Sequence, residues 1–237
     1  MTEANFNISF SKIEKTLKSF NLFKMRGIKN LKNDGVTDEF KKASLGNKYF
    51  EAYKTGLENY DFDFLLDDES YFQFQFSIKE GILEIRYSFF QNPFEHLTYE
   101  EYLANEIDLE EIEESIESIG NLFEMEYNQF LNEQDLSSNY STIRYDSDFK
   151  NYKPILHSVS HIHIGHLSNI RIPIDKILSP LRFVLFTIKH IYYHNWKDKL
   201  ENNKEELMSV LTDCVNGEQN LENQFWDDEE KIELHLR

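Results

Sequence analysis

Residues 71–90 contain the pattern that most limits how this chain can fold. In each half of the segment every second side chain is large and apolar: Phe72, Phe74, Phe76 and Ile78, then Leu83, Ile85, Tyr87 and Phe89. Successive side chains of a strand point to opposite faces, so each half has one apolar and one polar face. Glu80-Gly81 lies between the halves and favours a tight turn. The segment therefore predicts an antiparallel hairpin with one buried, aromatic face.

Other segments add strands and helices to this hairpin. Further strands are predicted over residues 61–66, 142–145, 157–164 and 170–172. Apolar residues recur with helical spacing over residues 10–23, 108–133, 181–196 and 201–215. The helix over 181–196 is apolar nearly all round, which is typical of a buried helix, and Ser179-Pro180 is a good start for it. Residues 30–47 are polar and predict a loop that contains at most one helical turn.

These elements predict an α+β fold. An antiparallel sheet is built on the aromatic hairpin and a histidine-rich strand, and several helices pack on it, including one largely buried near the C-terminus. We expect a single domain over residues 1–237. It has a helical N-terminal part (1–60), a sheet plus amphipathic helix (61–172), and C-terminal helices with an acidic tail (173–237).

Composition limits the function classes. The net charge of −18 opposes general nucleic-acid binding, which depends on Lys and Arg, although a local basic groove stays possible. Cys214 is the only cysteine, so an intramolecular disulfide and a cysteine-based zinc cluster are excluded, and we expect a buried core thiol. No membrane span or signal peptide is predicted, so the expected compartment is the cytoplasm. The acidic runs 106–117 and 227–233 predict a solvated helix face and a solvated tail.

Four of the eight histidines lie between residues 157 and 166. If this segment is one extended strand, its two-residue period places His157, Val159, His161 and His163 on one face. The other face then carries Ser158, Ser160, Ile162 and Ile164. One face is thus suited to chemistry and the other to the core.

The histidine strand allows several chemistries. His161-x-His163 can bind one metal ion with a third ligand from His157, Asp146, or the helical pair His190 and His194. The alternative is a set of hydrogen-bonded histidines on a half-buried strand. Two weaker resemblances also exist. In the first, to the histidine-triad nucleotide hydrolases, Gly165 stands where the third histidine of the signature is expected. In the second, to the two-histidine phosphoesterases, His96-Leu97-Thr98 matches one motif, but His161-Ile162-His163 departs from the other at His163.

Arg171 lies between two isoleucines on a short strand that ends at Pro173. We expect it to pair with Asp146 or Asp148 inside the protein. The alternative is that it binds an anion in a pocket beside His161.

Three motifs also resemble a known family: His157-x-x-Ser160-His161-Ile162-x-Ile164-Gly165, then Ile170-Arg171-Ile172-Pro173, then Leu178-x-Pro180-x-x-Phe183-Val184-x-Phe186. They are similar to bacterial proteins catalogued as domain of unknown function 2290. The resemblance covers most of the chain and is densest over residues 157–196. It implies a soluble, single-domain bacterial protein of mobile-element or phage-defence gene neighbourhoods. Relatives tend to carry Thr at the position of His163.

Two hypotheses follow. The first is an accessory protein that binds a protein partner encoded nearby or a small ligand; homo-oligomerisation stays open. The second is a histidine-dependent hydrolase or nuclease acting on phosphate esters. No cofactor is expected, with a divalent metal as the open alternative. The proposed catalytic residues are His157, His161 and Arg171, and the proposed binding residues are Ser160, Gly165, His163 and Asp146.

Overall fold

The aromatic hairpin lies in the middle of the main sheet in a computed structural model of the chain. The structure describes residues 1–29, 35–94, 99, 102–103, 123–133, 140–166 and 170–232. Strand β3 (Tyr71–Lys79) pairs with β4 (Ile82–Phe90) over its whole length, from Tyr71 opposite Phe90 to Lys79 opposite Ile82. Glu80 and Gly81 both have positive φ angles, of 53° and 81°. This is the two-residue turn that matches the twist of a hairpin, so the predicted hairpin is confirmed.

The hairpin lies inside a seven-stranded sheet of order β1-β2-β3-β4-β5-β6-β7, in which each neighbouring pair is antiparallel. The other strands of this sheet are β1 (Phe23–Arg26), β2 (Phe64–Leu66), β5 (Thr142–Asp148), β6 (Ser160–Ile164) and β7 (Arg171–Pro173). Short strands β8 (Lys176–Ile177) and β9 (Gln219–Asn220) form a separate pair. The predicted antiparallel sheet, with the hairpin and the histidine strand in it, is confirmed.

The helices of the described chain are α1 (Glu3–Ser11), α2 (Ile13–Ser19), α3 (Asp38–Ser44), α4 (Tyr49–Glu58), α5 (Glu124–Glu133), α6 (Pro180–Ile191), α7 (Tyr193–Asn202) and α8 (Lys204–Asn216). Ser179 caps α6 by accepting a hydrogen bond from the Arg182 amide, and Pro180 occupies the first turn, as predicted. Each of these helices is too short or too polar to cross a lipid bilayer. Together with the sheet they confirm the α+β class.

The apolar face of the sheet packs against the helices. Alternate residues of β3 to β6 share one core with α1, α2 and α6, and all are at most 3% exposed: Phe72, Phe74, Ile85, Tyr87, Phe89, Tyr145, Ile162, Phe183, Val184 and Ile188. Phe183 stands edge-on to Phe74, with ring centroids 6.3 Å apart. Burying aromatic side chains of this size is the main stabilising contribution. The predicted buried helix near the C-terminus is therefore confirmed, and the opposite face of the sheet carries the polar residues.

Three predicted elements differ in detail. Over residues 10–23, α1 ends at Ser11, α2 ends at Ser19, and β1 begins at Phe23. The prediction of one continuous helix there is therefore wrong. The helix predicted over 181–196 ends at Ile191 and a second begins at Tyr193, because Tyr192 leaves helical geometry with φ −106° and ψ 54°. Helix α3 occupies part of the predicted loop 30–47 and has seven residues, more than the single turn expected.

Some predictions fall partly or wholly outside the described residues. Of the helix predicted over 108–133, the structure describes α5, while the acidic run 106–117 lies outside the described residues. Within the acidic C-terminal run, Glu230 is fully buried and accepts a hydrogen bond from the Tyr152 hydroxyl at 3.0 Å. The prediction of a solvated tail is therefore wrong at Glu230, because Tyr152, which packs against the core, donates a hydrogen bond to its carboxylate.

By their contacts the residues divide into two compact units: residues 1–91 with 141–237, and residues 92–140. The second unit lies between β4 and β5 in the sequence and contains α5, with Tyr102 and Leu103 buried in its own small cluster. The first unit contains the whole sheet. The single-domain organisation over 1–237 stays a prediction.

Candidate functional site

The polar face of the sheet carries two rows of functional side chains across neighbouring strands. In the first row Arg86, Asp146 and His161 are directly opposite one another on β4, β5 and β6. In the second row, two residues along each strand, the order is Ser88, Arg144, His163 and Arg171 on β4 to β7. We call these the histidine row and the arginine row. Antiparallel pairing with alternating faces brings both rows to one surface.

Asp146 is the centre of the two rows. Its Oδ1 accepts a hydrogen bond from Nε of Arg86 and its Oδ2 one from Nε of Arg144, both at 2.9 Å. Nε2 of His163 lies 3.4 Å from Oδ2. Burial opposes the charge of this carboxylate, but the hydrogen bond from His163 and the charges of Arg86 and Arg144 outweigh it and hold the pKa of Asp146 well below its usual range. Asp146 is therefore an anion that fixes three cationic or donor groups.

His161 is buried, with 2% of its surface exposed. Its Nδ1 lies 2.8 Å from the carbonyl oxygen of Ser158, which can only accept, so Nδ1 carries the proton. Burial and the neighbouring His163 lower the pKa of His161 to about 4. The ring is thus neutral near pH 7, and its Nε2 is the atom left to accept a proton or bind a ligand.

His157 and His163 flank His161. Ring centroids are 5.0 Å apart for His157 and His161 and 4.8 Å for His161 and His163, both edge-on. His157 precedes β6 in a bridge with Lys153, and its Nδ1 is buried without a hydrogen-bond partner in the described part of the chain. The three histidines share one surface, as predicted. Val159 does not join them: it is fully buried in the core with Ile162, so the regular alternation begins only at Ser160.

Two adjoining cavities open on this surface. The histidine cavity, of about 380 Å³, is lined by three histidines and three carboxylates among other residues: His157, His161, His163, Glu84, Asp146 and Asp148. The arginine cavity, of about 340 Å³, is lined by Arg86, Arg144, Arg171, His163 and His166, and by no acidic side chain among the described residues. All three arginines and His163 line both cavities. The two cavities therefore join a histidine-rich part, in which carboxylates and arginines are both present, to a part with arginines and no carboxylate in its described lining.

Arg171 is exposed and makes no ion pair with the residues that the structure describes. Our prediction that it pairs with Asp146 or Asp148 is wrong, because Arg86 and Arg144 already occupy both oxygens of Asp146. Asp148 instead accepts hydrogen bonds from residues 150 and 151. Arg171 opposes His163 across β6 and β7, so its charge faces the arginine cavity.

Ser160 and Gly165 have different positions relative to the site. Ser160 is fully buried on the core side of β6, where its Oγ lies 2.9 Å from the Tyr145 hydroxyl and donates to the Lys176 carbonyl at 2.5 Å. The structure does not bring it to either cavity. Gly165 lines the arginine cavity with φ +89°, a left-handed conformation that favours glycine. Its amide donates to the Thr142 carbonyl at 2.8 Å.

A metal ion would have one group of ligands on this surface. One ligand atom each from Asp146, His161 and His163 lies within 4.8 Å of the others. The two arginine hydrogen bonds to Asp146 oppose a divalent cation there, both by occupying its oxygens and by their charge. His190 and His194 contribute nothing to this group, since the break at Tyr192 puts them on separate helices. His96 lies outside the described residues.

Sequence reasoning missed Arg86 and Arg144 as site residues. Arg86 is on the polar face of the hairpin, and Arg144-Tyr145-Asp146 gives the same face of β5 one cation and one anion. An arginine on the polar face of a strand was the available signal, but a polar face is more often only solvated. Cys214, by contrast, is a buried thiol as predicted, and burial raises its pKa to about 11.

Comparison with known proteins identifies a family for this chain. The sequence profile of the family described as "Uncharacterized conserved protein (DUF2290)" matches residues 20–237. No curated protein and no solved structure matches the chain. The matched range contains β1 to β9 and every residue of the two rows.

Proposed function

The chain belongs to the family of uncharacterised conserved proteins named DUF2290, and from its site we propose that it binds a small phosphate-bearing ligand in the arginine cavity. Arg86, Arg144 and Arg171 supply planar guanidinium groups, whose donor geometry matches phosphate oxygens. Two of them are held in place by Asp146, so their orientation needs little adjustment when an anion binds. Arg171 makes no ion pair with the described residues and is available to the ligand.

One observation carries this proposal: three arginines converge on a cavity whose described lining contains no carboxylate, in a chain with a net charge of −18. Acidic residues outnumber basic ones by 43 to 25 over the whole sequence. A cavity lined by three arginines and no carboxylate is therefore not expected from the overall composition. Like charges brought together cost free energy unless a counter-ion offsets them. Asp146 offsets Arg86 and Arg144 only in part, because one carboxylate faces two guanidinium groups. A bound anion would offset the positive charge that remains.

The same charge favours a small ligand over a polynucleotide. A nucleic acid strand would extend beyond the cavity onto a surface of strongly negative net charge, where each additional phosphate is repelled. A ligand with one or two phosphates experiences mainly the local field of the arginines. We therefore propose a ligand that the cavity can enclose.

Isothermal titration calorimetry with inorganic phosphate and pyrophosphate tests the proposal. We expect saturable binding, with pyrophosphate the tighter ligand. Arg171→Gln should weaken it about ten-fold, the loss expected for one charge-assisted hydrogen bond. Lys197→Gln removes the same charge from an exposed pair on α7 and serves as the matched control. Absence of binding by either anion up to about 10 mM, or an Arg171→Gln variant that binds like the control, would overturn the proposal.

A second candidate function is hydrolysis of a phosphate ester, and the neutral ring of His161 favours it. With Nδ1 donating to Ser158, Nε2 is free to accept a proton from an attacking water. His157 would act as the partner acid or as a ligand, and Arg171 would stabilise the developing charge. Phosphodiester turnover and the metal content of untagged protein test this function. No turnover, together with less than about 0.1 metal per chain, would remove it.

The wider biological role is proposed from the family resemblance and the acidic charge. We place the protein in the bacterial cytoplasm as an accessory member of a phage-defence or mobile-element system, with a protein partner encoded nearby. Co-purification with the products of neighbouring genes tests this role. A chain that stays alone beside every neighbour at micromolar concentration would contradict it.

A further inference from the structure

The arginine cavity continues toward an aromatic end of the same sheet face. Two residues beyond the arginine row, Tyr71, Phe90 and Thr142 are opposite one another on β3, β4 and β5. Helices α3 and α4 cover this end: Phe40 stands edge-on to Phe90 at 5.7 Å, and Tyr49 stacks on Phe90 at 6.4 Å. The cavity therefore has arginines along one part of its wall and the apolar side chains of Phe40, Leu45 and Phe90 along the other.

We propose that this cavity binds a nucleoside 5′-phosphate, with the phosphate at the arginine row and the flat base against the aromatic end. The inference rests on the proposed binding of a phosphate-bearing ligand and names its class. Inorganic phosphate would use the arginines alone and leave the apolar wall in contact with water. A ligand with a charged group at one end and a flat, weakly hydrated ring at the other fits both parts of the wall.

The dimensions agree with such a ligand. Rows two residues apart on a strand are separated by about 6.8 Å, which leaves room for one ribose between a phosphate and a base. The cavity volume of about 340 Å³ is in the range of small-ligand sites. Arg86, Arg144 and Arg171 reach the cavity from three different strands, so a guanidinium plane can also lie against the base.

Leu45 and His166 form the rim at the aromatic end. Leu45 is 83% exposed although it lines a cavity, so a base bound there would remove apolar surface from water. The His166 ring packs at 5.6 Å from Tyr49, and its Nε2 lies 3.1 Å from the Gly46 carbonyl. This contact fixes a second flat ring beside the proposed base position.

Calorimetric titration separates the parts of the ligand. The probes are AMP, GMP, CMP and UMP, compared with ribose 5-phosphate, pyrophosphate and a twelve-nucleotide single strand. We expect at least one nucleotide to bind on the order of ten-fold more tightly than ribose 5-phosphate, since stacking of one base contributes on this scale. Equal affinity for nucleotides and ribose 5-phosphate, with pyrophosphate still bound, overturns the base site and leaves the phosphate proposal intact. Loss of all binding overturns both.

Two variants localise the effect. Leu45→Ser removes the exposed apolar group, and Ser44→Trp places a bulky side chain in the cavity, which Ser44 also lines. Both should reduce the ratio of nucleotide to ribose 5-phosphate affinity toward one. Ile8→Ser, a similarly exposed apolar residue on α1, should keep the ratio unchanged. A ratio that survives both cavity variants, or tighter binding of the single strand than of any mononucleotide, contradicts the proposal.

Discussion

Arg86 and Asp146 face each other across β4 and β5, and the arginine donates from Nε to Oδ1 at 2.9 Å although the two residues are 60 positions apart in the sequence. Arg144, two residues before Asp146 on the same strand, donates to the other oxygen. One buried carboxylate thus orients two guanidinium groups toward an open surface. Such preorganised cations bind an anion with less loss of side-chain entropy than free arginines would.

Asp146→Asn should therefore lower the free energy of unfolding by about 1–2 kcal/mol. The amide cannot compensate two arginines, but both guanidiniums are about half exposed, so water limits the loss. Urea denaturation measures the change. Asp38→Asn, which removes an exposed pair with Lys41, should leave stability unchanged. An Asp146→Asn protein as stable as the wild type would show that this carboxylate does not hold the arginines.

Acidification should destabilise the protein through His161. The folded pKa is lowered to about 4, whereas an unfolded histidine titrates near 6.5, so below that pH the unfolded state takes up a proton that the folded state does not. The contribution of His161 to the free energy of unfolding is complete above about pH 6.5 and is lost as the pH falls toward about 4. At pH 5 the loss amounts to about 2 kcal/mol. His161→Gln should flatten the stability profile between pH 7 and 5. Identical profiles for the two proteins would contradict the lowered pKa.

If the site hydrolyses a phosphate ester, His161 should matter more than His163. His161→Ala should abolish turnover. Because the ring is buried and its Nδ1 donates to the Ser158 carbonyl, the variant should also lose about 1–3 kcal/mol of stability. His163→Thr should retain turnover, since a threonine hydroxyl can still donate to Asp146, the group that His163 contacts. The measurement pairs kinetics with thermal unfolding. A folded but inactive His163→Thr protein, beside an active His161→Ala protein, would reverse the assignment.

Ser160 should act on stability and not on ligand binding. Its single proton goes to the Lys176 carbonyl, so it accepts from Tyr145, whose hydroxyl in turn accepts from the Leu178 amide at 3.0 Å. Tyr145→Phe and Ser160→Ala should each cost about 1–2 kcal/mol, and the double variant less than their sum, because both break one chain of hydrogen bonds. Additive losses, or a change in pyrophosphate affinity on Ser160→Ala, would contradict this position.

The sequence alone determined the elements whose causes are local. The two-residue alternation of β3 and β4 with Glu80-Gly81 between them specifies a hairpin and its two faces, and Ser179-Pro180 specifies where α6 begins. Each depends on residues a few positions apart, so the pattern contains the information. The surface of His157, His161 and His163 followed from the same period, apart from Val159, which the core takes up.

Only the tertiary structure decided what surrounds these histidines. The register between β4, β5 and β6 puts Arg86 beside Asp146 and Asp146 beside His161, and a shift of one residue would turn those side chains to the opposite face. The helix break at Tyr192 is likewise associated with a distant contact, a hydrogen bond of its hydroxyl to Asp68 at 2.8 Å. Strand order and register arise from packing of the whole aromatic core. For this reason no local pattern could show that Arg171 faces the arginine cavity and makes no ion pair with Asp146 or Asp148.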